Sequence, residues 1–164
     1  MMDHAFKQFI RNLLMSLTIF LTPLFFIEYS IYENWVFRNL IFLISWIFLC
    51  GITGFFAYRA GKTLFLFNKI ISFYEKINIP FYENNIKATP LPYRLPLLWS
   101  GCSRCMSYST GGIISFTAAV SYFYKPAWAA GLYFLFLGAS LTSAFSMFFY
   151  LKDEIRKYRK IDIL

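Results

Sequence analysis

Asn39 to Tyr58 reads NLIFLISWIFLCGITGFFAY, an apolar run bounded by Arg38 and Arg59 with no charged residue inside it. A helix needs about 20 consecutive apolar residues to cross the hydrocarbon of a bilayer, at a rise of about 1.5 Å per residue. The stretch 39–58 therefore predicts a transmembrane helix, and it makes lipid the solvent for the rest of the chain.

Composition agrees. Of the 164 residues, 59% are hydrophobic and 23% aromatic, against roughly 45–50% apolar in an ordinary soluble domain. Only 15% are charged, and they gather in short segments with long uncharged gaps between them. Three more stretches reach spanning length. The first, 12–32, reads NLLMSLTIFLTPLFFIEYSIY, with Pro23 expected as a kink and Glu28 near the far interface. It is longer than a signal-peptide core and no small-residue cleavage site follows it, so it reads as a retained span. The fourth, 127–151, has no charged residue. The third, 105–124, is the least apolar, with Ser107, Ser109, Thr110, Gly111, Gly112, Ser115, Thr117 and Ser121. Only Lys125 and Pro126 separate it from the fourth, which demands a tight hairpin. The expected fold is all-α, one polytopic membrane domain over 1–164 with four transmembrane helices.

The basic residues set the expected orientation. Lys7 and Arg11 precede the first span, Arg59, Lys62, Lys69, Lys76, Lys87 and Arg94 fill the loop 59–102, and Lys152, Arg156, Lys157, Arg159 and Lys160 stand in the tail 152–164. Four spans put these three regions together, leaving Arg38 and Lys125 on the other side. Both termini are thus expected in the cytoplasm. Tyr29, Tyr32 and Trp35 are expected to meet Tyr122, Tyr124 and Trp128 at the outer interface, with Tyr93 and Trp99 at the inner one. A formal charge of +8 raises nucleic acid as a partner, but the cations flank apolar runs and no nucleic-acid-binding signature is present. The richness in Phe, Tyr, Ile, Lys and Asn fits an AT-rich gene, hence a low-GC bacterium, a mobile element or an organelle.

Within the loop, Phe67, Ile70, Ile71, Tyr74 and Ile77 recur at helical spacing opposite Asn68, Lys69, Ser72, Glu75 and Lys76. This predicts an amphipathic helix over Lys62–Ile79, lying on the inner leaflet or docking a partner helix. Lys62, Lys69, Lys76, Arg156, Lys157 and Arg159 are the candidate contacts to lipid headgroups or a partner. ATPLPYRLPLLW follows, where Pro90, Pro92 and Pro96 predict an extended connector.

Chemistry-bearing residues are few. Cys102 and Cys105 form a Cys-x-x-Cys motif around Arg104, which fits a redox dithiol or half of a thiolate metal site. Two more ligands would have to come from Cys50, inside the second span, and His4. Membrane thiol oxidoreductases with four helices keep their catalytic cysteines on the oxidising side, whereas this pair is expected on the reducing side. No ionisable residue lies within a span apart from Glu28, so ion or proton transport is disfavoured. No carboxylate pair or nucleophile–base set is placed for hydrolysis.

The spans carry small residues at packing intervals instead: Gly54, Ala57 and Gly61, then Gly111, Ser115 and Ala119, then Gly131, Gly138, Thr142 and Ser146. Such stripes let helices approach closely, within the chain or against a partner. The resulting expectation is a non-enzymatic inner-membrane protein, bacterial or organellar, with no cofactor, embedded in lipid and contacting another integral membrane protein. It would serve as an accessory subunit of a secretion, conjugation or respiratory complex, or as an immunity or exclusion-type blocker. In size and architecture it is similar to the membrane immunity proteins that guard against pore-forming toxins. The alternative is a thiol oxidoreductase or metal site at Cys102 and Cys105.

Overall fold

The computed structural model describes residues 2–79, 89–123 and 127–161, with side chains for 5–29, 31–79, 89–123 and 128–156. Helices hold 91% of the described residues, and no strand occurs among them. In chain order they are α1 (Met2–Leu21), a 3₁₀ turn (Thr22–Phe25), α2 (Tyr29–Arg38), α3 (Leu40–Thr63), α4 (Phe65–Lys76), α5 (Leu91–Ser100), α6 (Ser103–Tyr122) and α7 (Ala127–Ile161). Three stretches are long and apolar enough to cross a bilayer: Ala5–Phe25, Leu40–Thr63 and Trp128–Arg156. That is one fewer than the four expected. The one that falls short is α6, whose inward side is built of Ser107, Gly111, Ser115 and Ala119 rather than large apolar residues.

α7 is the hub. Phe9 meets Phe148, Asn12 meets Ser143, Ser16 meets Ser140 and Tyr133 reaches Phe20, so α1 runs antiparallel to α7. α6 is antiparallel to it as well, through Gly111 against Gly138 and Gly131 against Phe116 and Val120. α3 runs parallel to α7, from Trp46 beside Phe134 to Lys62 beside Asp153. α3 also packs on α6, whereas no comparable contact joins α1 to α3. The core gathers Leu43, Trp46, Cys50, Ala119, Phe134 and Leu137.

Several boundaries differ from expectation. The helix that carries the first spanning segment starts before residue 12, at Met2, with Ala5 and Gln8 buried against the bundle. It also ends earlier, because Pro23 does more than kink the helix. Lacking an N–H, Pro23 enters a 3₁₀ turn, and the Phe20 carbonyl accepts from the Tyr32 hydroxyl at 2.9 Å and the Tyr133 hydroxyl at 3.0 Å. Residues 29–38 become a separate short helix.

The expected helix 62–79 is broken at Leu64, whose φ of 49° is left-handed. Of its apolar stripe, Tyr74 turns toward protein while Ile77 is exposed. Tyr74 is buried, donates to the Tyr93 carbonyl at 3.0 Å and packs edge-on to the Tyr93 ring. The extended connector is corrected too: Leu91–Ser100 is helical. Pro92 sits in the first turn, where an N–H has no intrahelical partner anyway, and Pro96 forfeits a single i→i−4 bond. The tail after 151 continues as helix to Ile161. The hairpin at Lys125 and Pro126, and Lys87 in the loop, lie outside the described residues.

Candidate functional site

The ten small residues expected to offer a packing or partner face all turn inward. Gly54, Ala57, Gly111, Ser115, Ala119, Gly131, Gly138, Thr142 and Ser146 are buried, and Gly61 is half-buried. A Cβ on Gly54 would stand 2.7 Å from the Thr142 carbonyl oxygen, and one on Gly111 or Gly138 would stand 2.9 Å from the other's carbonyl oxygen. The stripes therefore join α3, α6 and α7 to one another.

Around them lies a polar seam. Asn12, fully buried, donates from Nδ2 to Ser143 Oγ at 3.0 Å and accepts at Oδ1 from the Tyr108 hydroxyl. The Ser16 and Ser140 hydroxyls are 3.0 Å apart. Trp46 Nε1 donates to Ser115 Oγ at 2.9 Å, with Cys50 Sγ 3.7 Å from the same oxygen. Ser146 Oγ is buried without a hydrogen-bond partner, and the Thr142 hydroxyl has at most the Cys50 thiol as a partner. Sequence reading passed over Asn12, although Gln8, Asn12 and Ser16 recur every four residues on one side of α1.

Cys102 caps the N terminus of α6, its Sγ accepting from the Cys105 N–H at 3.2 Å, and the two sulfurs stand 2.6 Å apart as free thiols. The helix start brings the pair together, Cys105 exposed and Cys102 half-buried. Cys50 lies deep in α3 against Ser115, so it does not join them. No group of three or more metal-ligating side chains occurs among the described residues.

The cations divide. Lys62, in the last turn of α3, pairs with Asp153 of α7, which also accepts from the Tyr58 hydroxyl. Lys69 lies 4.6 Å from the centre of the Phe65 ring. Lys76 and Arg156 are exposed, and the side chains of Lys157 and Arg159 lie outside the described set.

Two surface clefts were not foreseen, since neither follows from the periodicity of one helix. Between α1 and α3 a cleft of about 360 Å³ has Leu13, Leu17 and Phe20 on one wall and Leu40 and Ile44 on the other, with Leu137 and Leu141 of α7 as floor. Farther along α3, a second, wholly apolar groove of about 780 Å³ runs against α7. Compared with known proteins, the chain matches no family model, no curated protein and no solved structure.

Proposed function

We propose that the chain is a four-span inner-membrane protein with both termini in the cytoplasm. In this reading it acts without catalysis, by docking another integral membrane protein in the α1–α3 cleft. The observation that carries it is the gap itself: α1 and α3 both pack on α7 but leave an apolar slot between them. The small-residue stripes, which drive helix association in lipid, face other helices of the bundle, so the α1–α3 cleft is the surface favoured for a partner.

Support for a fourth span comes from the length and packing of α6. Its 20 residues rise about 30 Å, the thickness of the hydrocarbon; Ser107 and Ser115 are buried while Ile113 faces outward, and the outward Thr117 hydroxyl is satisfied by the Ile113 carbonyl. The end holding Lys7, Arg11, Arg59, Lys62, Lys152 and Arg156 is then the cytoplasmic one. Accessory subunit of a membrane complex and immunity or exclusion-type blocker are the two roles such a surface suits.

Site-specific photo-crosslinking in cells tests this. A crosslinker at Leu17 should capture one discrete membrane protein, while the same group at Ile113, on the outer side of α6, should not. Equal capture at both positions, or none beyond lipid at Leu17, overturns the docking role. A second reading, a membrane dithiol, is favoured by the adjacency of the Cys102 and Cys105 sulfurs; loss of cellular activity in C102S/C105S with the Leu17 crosslink intact would select it.

A further inference from the structure

We infer that the groove between α3 and α7 holds an anionic phospholipid, one acyl chain lying along its rings and the phosphate resting on Arg59, Lys152 and Arg156. The groove is lined by apolar residues alone, among them Phe48, Ile52, Phe55, Phe145, Phe148 and Phe149. From Ile44 to Phe56 on α3 it extends about 18 Å at about 1.5 Å per residue. That is close to one leaflet, half of a hydrocarbon core about 30 Å thick. A partner helix would need a track about twice as long.

Charge complementarity chooses among lipids. On α3 the sequence of contacts Ile52, Phe55, Arg59 follows one face at helical spacing, and the Arg59 guanidinium carbon stands 6.0 Å from the centre of the Phe55 ring. On α7 the corresponding face runs Phe145, Phe149, Lys152, Arg156. Phe149 joins the two walls, packing edge-on to Phe55 at 5.2 Å and stacking on Tyr58 at 6.5 Å. Both walls thus turn from apolar to cationic at the same end. Asp153 is engaged by Lys62 and Tyr58 and feels the charge of Arg156 more weakly, while Arg59, Lys152 and Arg156 are exposed and form no ion pair among the described residues. An apolar trough one leaflet deep under three cations matches an amphiphile with a negative head.

The inference rests on insertion of α3 and α7 in a bilayer, not on the docking role of the α1–α3 cleft. The test is native mass spectrometry of the full chain in mild detergent, with phosphatidylglycerol and phosphatidylcholine of identical acyl chains offered separately. Retention of the anionic lipid should exceed the zwitterionic one by roughly tenfold, on the scale of a few surface cations acting together. In R59Q/K152Q/R156Q, all exposed positions, the ratio should fall toward one. Gly51→Leu, whose added side chain enters the groove beside Phe145, should weaken both lipids alike. Equal retention by the unaltered chain, an unchanged ratio in the triple variant, or displacement of phosphatidylglycerol by a co-purified membrane protein overturns the proposal. Failure of the chain to float with vesicles would instead remove the insertion on which it rests.

Discussion

α3 and α6 lie side by side in one bundle, yet they are made of opposite materials. α3 presents Ile41, Ile44, Phe48 and Phe56 outward and keeps Gly54, Ala57 and Cys50 for its neighbours. α6 buries Ser107, Gly111, Ser115 and Ala119 and shows a thinner apolar side. Average hydropathy reports what a helix shows to lipid, and it penalises a helix that spends its residues on close contact. The backbone approach at Gly111 and Gly138 supplies in dispersion what α6 lacks in apolar side chains.

The largest effect should come from filling that approach. Gly138→Leu forces a side chain into the Gly111 backbone and Ser115, and should cost about 3 kcal/mol or more, the upper end of overpacking, in reversible unfolding in detergent or bicelles. A loss below about 1 kcal/mol would mean that α6 sits loosely on the bundle and that the comparison fails. Ser115→Ala is the sharper probe. It adds no volume beside Gly138 but strands the Trp46 N–H, for an expected loss of about 1–2 kcal/mol, together with a shift in Trp46 fluorescence. Ile41→Val, on the lipid side of α3 and 83% exposed, should change stability by less than about 0.5 kcal/mol. A larger change there would mark the outer side of α3 as already covered by protein.

Much of the helical framework was legible in the sequence, because unbroken runs such as 39–58 follow from bilayer thickness alone. The places that were not legible have separate causes. α1 gives way to a 3₁₀ turn at Pro23, and the Phe20 carbonyl at its end is taken up by tyrosines 12 and 113 residues away. Pro96 is tolerated because only one backbone bond is lost in α5. The turn at Leu64 adopts a conformation that leucine rarely takes, so no local signal announces it. For the site, the small-residue stripes stand out in the sequence by their spacing, and the structure buries them between helices. Which helix each would meet depends on the relative rotation of α3, α6 and α7, which one-dimensional spacing does not encode. Asn12 could have been noticed as an amide inside an apolar run, while the clefts exist only once α1 and α3 are held apart.

The hub position of α7 has a consequence for biogenesis. It follows every other described helix in the chain, yet it provides the surface on which α1, α3 and α6 converge. Until α7 leaves the ribosome and the insertion machinery, α1 and α3 have little to hold them to each other, and Asn12 has neither Ser143 nor the register that α7 imposes. α3 and α6 can meet before then, and Tyr108 of α6 can reach Asn12, but α1 and α3 stay apart until α7 arrives to fix the register of all three.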